Sequence, residues 1–310
     1  MTVCNLCPRS CGSDRPLIVS AENPGGICGV GTLAVLARAA VHEWEEPCIS
    51  GKNGSGTVFF SGCPLKCCYC QNYSISTECF GQPVSIERLT KIYAELEAAG
   101  VHNINLVNPT HFTEAILQSF PQQKTIPFVY NSSGYDSVET LKRFDKKIDI
   151  YLPDLKYSDE SLAWKYSRAR NYFTIATSAI KEMFRQTGPF VMGENGLLKS
   201  GVLLRHLVLP SHIENTLRII DWVDQHFETD DILFSLMFQY IPCGNSEQYP
   251  EINRRVNQEE YNLISDYLDQ TKIENGYIQE LDSAEETYIP SFDLTGITKQ
   301  IGKDHHETYK

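Results

Sequence analysis

The sequence predicts an α/β fold of parallel strands, either an open or closed barrel or an open doubly wound sheet, behind a small cysteine-rich head. Two observations carry this. Strand-like and helix-like patterns alternate along residues 57–271, and such alternation implies parallel strands joined by right-handed crossovers. Polar residues suited to chemistry fall just after the strand ends, where barrels collect function.

Taken in order, residues 1–30 are rich in Cys, Gly, Pro and Asn with little apolar periodicity, so this segment needs a metal to hold a shape. Residues 31–44 read as a helix and 50–56 as a flexible loop. Thr57-Val58-Phe59-Phe60-Ser61 reads as a buried strand. Residues 86–99 carry helical spacing and end at Gly100, a C-cap residue. Strands are expected at 103–107, 126–130, 148–152, 203–209 and 232–240. Helices are expected at 111–120, 137–144, 212–227 and 258–271, with one long or two shorter helices across 159–185. The chain divides into residues 1–50, a head with a helical connection, and residues 51–310, the α/β body with a C-terminal extension.

Of the 310 residues, 42% are hydrophobic and 21% charged, the profile of a globular protein with a sizeable core. The net charge of −12 repels phosphate backbones and anionic membrane surfaces, which argues against nucleic-acid and membrane partners. The first residues lack a basic and an apolar region, so no signal peptide is expected. The apolar run at 33–41 is interrupted by Arg38 and too short to span a bilayer. A cytoplasmic location is expected, where thiols stay reduced; the eleven cysteines then bind metal, react or pack. Cys48, Cys79 and Cys243 are scattered and read as packed or surface thiols.

The other cysteines form two groups. Cys63, Cys67 and Cys70 make a C-x3-C-x2-C set directly after the Phe-rich strand. Three thiolates this close suit an iron–sulfur cluster, and a four-iron cubane on three thiolates leaves one iron open to a substrate. Cys68 is off the spacing and reads as a bystander; a structural zinc loop is the competing assignment. Cys4, Cys7, Cys11 and Cys28, spaced C-x2-C-x3-C-x16-C, are a complete four-thiolate set for zinc or a second iron–sulfur cluster.

The three-cysteine spacing, Tyr69 before the last Cys and the position after a strand resemble the radical S-adenosylmethionine superfamily. Further segments are together similar to its pyruvate formate-lyase activating enzyme-like subfamily. They are Cys4-Asn5-Leu6-Cys7-Pro8-Arg9-Ser10-Cys11, Trp44-Glu45-Glu46-Pro47, Cys70-Gln71-Asn72, Asn108-Pro109-Thr110-His111, Asp149 to Lys156, and Arg205 to Pro210. The resemblance implies a partial (β/α)6-type barrel with a small N-terminal Cys-rich metal-binding segment. It implies a 4Fe-4S cluster on Cys63, Cys67 and Cys70, and S-adenosyl-L-methionine as the second cofactor. Reductive cleavage to a 5′-deoxyadenosyl radical would then abstract a substrate hydrogen. The substrate is a glycyl-radical enzyme partner or, alternatively, a small molecule or peptide. An electron donor such as flavodoxin or ferredoxin is implied.

Where many members carry Gly-Gly-Glu against the cofactor's amino group, this chain has Asn108 and Thr110, which orient an ammonium by neutral hydrogen bonds. His111 reads equally well as a helix N-terminal residue. Asp154 and Lys156 resemble the Asp-x-Lys motif lining the cofactor, at its methionine or ribose end and its carboxylate. Arg205, with His206 beside it, resembles a carboxylate-binding Arg. Tyr69 is grouped with the cofactor pocket. Asn131 and Ser133 are expected adenosine contacts, and Gln239-Tyr240 faces the substrate opening. A non-catalytic iron–sulfur or zinc protein is the third reading.

Overall fold

The computed structural model describes residues 3–279, 281 and 290–298. Residues 299–310 of the expected C-terminal extension lie outside the described residues. The chain runs β1 (Ala34–His42), α1 (Pro47–Ser50), β2 (Ser55–Phe60), α2 (Tyr73–Ser76), β3 (Gln82–Val84), α3 (Ile86–Ala98) and β4 (Ile104–Val107). It continues with α4 (Thr113–Ser119), β5 (Phe128–Ser132), α5 (Val138–Lys142), β6 (Ile150–Pro153), α6 (Glu160–Ser167) and α7 (Tyr172–Thr187). β7 (Val191–Met192), β8 (Leu198–Leu207), α8 (Ile213–His226), β9 (Leu233–Met237), α9 (Gln258–Leu268) and β10 (Gly276–Gln279) complete it.

The sheet order is β10-β9-β8-β6-β5-β4-β2-β1-β3, with β7 hydrogen-bonded to β8. From β2 to β10 the strands along this path are parallel and follow chain order without a reversal. A doubly wound sheet reverses its order at a switch point. Unidirectional winding instead puts the crossover helices on one face and curls the other inward. The barrel stays open, because β10 and β3 end the path without pairing to each other.

Side chains alternate between the two faces. Leu106, Tyr130, Tyr151, Leu204 and Leu236 pack outward with helix residues such as Ile92, Ile116, Ile180 and Ile219 in the main core. Each such fully buried side chain contributes about 1.5–3 kcal/mol. Val129, Ile150, Leu152, Leu203 and Leu233 face inward, where they meet Cys48 and Ile49 of α1. Helix α1 therefore plugs the barrel interior at the N-terminal end of the parallel strands.

The expected helix over 31–44 is β1, antiparallel to β2 from Leu36↔Phe60 to His42↔Ser55. Its alanines favour a helix locally, but Leu36, Ala37, Ala39 and Ala40 are buried within the sheet, and pairing overrides propensity. The third parallel strand lies two residues later than expected, so Asn131 and Ser132 belong to β5 itself. The 111–120 helix opens as a 3-10 turn, Thr110–Phe112. The 159–185 stretch is two helices, broken where Arg168 adopts φ +51°. Residues 290–298 cover the flank of β1, with Leu294 N–H donating to Ala37 O at 3.0 Å and Ala39 N–H to Thr295 O at 2.9 Å.

Candidate functional site

Strand β2 ends in the loop that carries the three-cysteine set. Gly62 (φ +78°) turns the chain, its N–H bonding to Ile75 O at 2.7 Å. Cys63 and Cys67 are buried and Cys70 is half-buried. The loop is held from the head by Arg9, which donates to Pro64 O at 2.6 Å, Leu65 O at 3.2 Å and Ser167 O at 2.7 Å, and also to Arg168 O. Cys68 is anchored by its backbone, with N–H to Tyr166 O at 2.8 Å and its carbonyl accepting from Asn245 N–H at 2.7 Å.

Cys63, Cys67 and Cys70 line a cavity of about 280 Å³ at the C-terminal rim of the barrel, and no fourth cysteine lines it among the described residues. Burial, then the neighbouring Cys67 thiol, pushes Cys63 up to about 12 and Cys70 up to about 11. A metal must therefore displace protons here.

The cavity also receives Tyr69, Asn108, Asn131, Ser133, Asp154, Lys156, Arg205 and Gln239. Asn108 (φ +60°) ties its side-chain N–H to Gly62 O at 2.6 Å. Asp154 bridges two cations, Lys156 Nζ at 2.7 Å and Arg205 Nε at 2.9 Å. Burial raises the Asp154 carboxyl, but Arg205 and Lys156 overcome this and hold it below its ordinary value. For Lys156 burial works against the charge, and Asp154 and Cys67 outweigh it, so the ammonium is strengthened.

Below this pair the network reaches a residue whose role sequence reasoning missed. Glu45, between β1 and α1, accepts from Arg205 Nη1 at 3.2 Å, Asn105 Nδ2 at 3.1 Å and Asn131 Nδ2 at 3.2 Å. Arg205 Nη2 closes the ring on Asn131 Oδ1 at 2.8 Å. Glu46 lies 3.9 Å from the same guanidinium, and among the described residues its buried Oε2 has no hydrogen-bond partner; neither has Asn105 Oδ1. Burial raises both glutamates above their ordinary values despite Arg205. The only local signal was the adjacent Glu45-Glu46 pair ahead of Pro47 and the apolar α1.

Other expected residues are elsewhere. Thr110 is not at the cavity: its hydroxyl donates to Asp136 at 2.6 Å and accepts from Tyr130 at 3.2 Å, in a buried cluster with Ser132. His111 Nε2 bonds to Ser61 O at 2.8 Å beneath the loop. His206 points away from Arg205, between Leu155 O (2.6 Å) and Thr216 Oγ1 (2.9 Å), and burial lowers it to about 4. Tyr69 lines the cavity, but its ring packs edge-on against Tyr157, Tyr166 and Tyr240 and its hydroxyl donates to Tyr157 at 2.7 Å. Tyr240 packs behind it at 5.9 Å between ring centroids, away from the opening that Gln239 lines.

In the head, Cys7 and Cys28 are buried and Cys4 and Cys11 partly so. Cys11 Sγ accepts from Ser13 Oγ at 3.4 Å, and Arg15 Nη1 lies 3.9 Å from Cys4 Sγ. Among the described residues, no three His, Cys, Asp or Glu side chains are gathered around one ion-sized point, in the head or in the rim loop. No described helix is long and apolar enough to cross a membrane.

Residues 49–171 match the sequence profile of the 4Fe-4S single cluster domain. The chain is 29% identical over 268 residues to the uncharacterized protein MJ0674 of Methanocaldococcus jannaschii, covering 83% of this chain and 71% of that one. Among solved structures it is similar to methylornithine synthase PylB (12% identity, TM-score 0.48, 80% of this chain and 74% of that one). It is also similar to Streptococcus suis SuiB bound to precursor peptide SuiA (14%, TM-score 0.47, 72% and 48%). The chain thus spans about half the length of SuiB.

Proposed function

We propose that this chain is a radical S-adenosylmethionine enzyme. One observation carries the reading: three thiols of a single rim loop open into a cavity that holds no fourth cysteine among the described residues but does hold a Lys–Asp–Arg relay. The donor set fits a 4Fe-4S cluster short of one protein ligand, and the 4Fe-4S domain match over residues 49–171 supports it. When bound, cluster and S-adenosylmethionine together supply one-electron cleavage to methionine and a 5′-deoxyadenosyl radical for hydrogen abstraction.

The chain's own residues do the rest. Lys156 and Arg205 offer donors to a carboxylate, Arg205 through the two guanidinium N–H groups that its bonds to Asp154, Glu45 and Asn131 leave over. Asp154 keeps both cations charged and in place. Asn131 and Ser133 offer hydrogen bonds to a ribose or base edge. Asp154 and Glu45 supply the negative charge for an ammonium that Asn108, already tied to Gly62, does not supply. Anaerobic loading with iron and sulfide, then dithionite and S-adenosylmethionine, tests this. Formation of 5′-deoxyadenosine is expected; its absence from fully loaded protein refutes the reading.

Activation of a glycyl-radical enzyme is the reading that the subfamily resemblance supports. Modification of a small molecule or peptide is favoured by the plugged barrel and its acidic floor at Glu45, which suit a donor-bearing group of limited size. A carbon-centred radical signal on a candidate glycyl-radical enzyme after incubation selects the first, and product formed without such a protein selects the second.

A further inference from the structure

Four thiols remain outside the proposed chemistry. The described residues before β1 contain no helix or strand, yet they bury Cys7 and Cys28. A segment of this length without secondary structure needs a cross-link to stay ordered, and all eleven cysteines are free thiols. Cys7 lies within electrostatic reach of Cys28, Cys4 and Cys11. A Cβ on Gly26 would lie 3.2 Å from Cys11 Sγ, placing Cys11 beside the turn that carries Cys28. Arg15, next to Cys4 Sγ, also donates to Val30 O at 3.2 Å and to Gly31 O, just beyond Cys28. Cys4 N–H bonds to Ser13 O at 3.1 Å and Ser10 N–H to Cys7 O at 3.0 Å, closing the first turns on themselves.

This nest abuts the rim loop. A Cβ on Gly62, the residue before Cys63, would lie 2.7 Å from Cys28 O, so the two backbones touch. The Cys79 thiol donates to the same carbonyl at 3.6 Å. Arg15 reaches His111 O at 2.6 Å, and the His111 ring holds Ser61 O at 2.8 Å. Arg9, between Cys7 and Cys11, caps the Pro64 and Leu65 carbonyls.

We infer that Cys4, Cys7, Cys11 and Cys28 form a closed four-thiolate metal centre that clamps the head onto the loop bearing Cys63, Cys67 and Cys70. The other three thiols lie within electrostatic reach of Cys7, but no three of them surround one ion-sized point among the described residues, as in the rim loop, so on this inference the centre closes only on loading. Four thiolates suit zinc or an iron–sulfur cubane. With every ligand supplied by protein, neither has an open position, and its role is to brace.

The test is independent of radical chemistry. The full chain with Cys63→Ser, Cys67→Ser and Cys70→Ser is purified without oxygen, loaded with zinc or with iron and sulfide, and assayed for metal and sulfide. About one zinc, or about four irons with matching sulfide, is expected per chain, and Cys4→Ser with Cys11→Ser on that background removes it. Both positions are partly exposed, so the change leaves the core intact. A rim-loop variant that binds neither metal, or that keeps metal after the head thiols are lost, overturns the site. In the chain with an intact rim loop, Cys4→Ser with Cys11→Ser is expected to speed loss of rim-loop iron to a chelator several-fold. An unchanged rate overturns the clamp.

Discussion

Replacing Arg205 with Met removes the guanidinium that three carboxylates face, Glu46 buried and Asp154 and Glu45 largely so: Asp154 at 2.9 Å, Glu45 at 3.2 Å and Glu46 at 3.9 Å. Among the described residues Lys156 reaches only Asp154, at 2.7 Å, so no described cation is left for Glu45 and Glu46. Breaking a buried pair from one side costs about 3–5 kcal/mol. The glutamates have a partial escape, because burial already raises both above their ordinary values and the loss of Arg205 raises them further. In the variant the folded chain then holds a proton that the unfolded chain releases above its ordinary carboxylate pKa. Stability therefore falls as pH rises, by about 1.4 kcal/mol per pH unit for each such proton. The expected loss is about 1–2 kcal/mol at pH 5 and about 3–5 kcal/mol at pH 7. Urea unfolding followed by circular dichroism reads this as a midpoint shift of roughly 1–2 M at pH 7. Glu45→Gln with Glu46→Gln on the Arg205→Met background should recover most of it. A loss equal at both pH values, or under about 1 kcal/mol at pH 7, would refute the charge network as the reason.

Cys67→Ala is expected to reduce rim-loop iron to background and abolish 5′-deoxyadenosine formation, whereas Cys68→Ala, anchored by its backbone outside the cavity, spares both; an inactive Cys68→Ala protein reverses the ligand assignment. Gly62→Ala meets both a left-handed φ of +78° and the Cys28 carbonyl, so it should cost about 1–3 kcal/mol and lower iron uptake, and wild-type uptake in this variant contradicts the contact. His206, lowered to about 4 by burial, is neutral in the fold but protonates in the unfolded chain below its ordinary pKa near 6.5. Its contribution is thus intact above pH 6.5 and lost progressively towards pH 4. In His206→Gln, the acid-unfolding curve should be shallower over that window, and an unchanged slope removes His206 from the account.

Much of the site was legible because it is local. Cys63, Cys67 and Cys70 share one loop, so their spacing alone marks them as one set of thiols, and Asp154 and Lys156 are two residues apart with their side chains bonded. The alternating body was legible for the same reason: α3 has its apolar residues at helical spacing, Ser85 capping its first turn and Gly100 beyond its end. Position relative to a strand end was less secure. Thr110 and Asn108 are neighbours in sequence, yet the left-handed turn at Asn108 (φ +60°) leaves one in the cavity and the other in the Asp136 cluster.

Sequence by itself determined the thiol sets, the parallel α/β architecture and the rim on which polar residues collect, since each depends on spacing within a few turns of chain. Tertiary structure decided that residues 34–42 are a strand, because sheet pairing outweighs an alanine-rich segment's helical preference. It also decided the floor of the cavity. Glu45 meets Arg205 across 160 positions, through a plug helix turned into the barrel, and nothing in local periodicity encodes a contact made by the closing of the sheet around it.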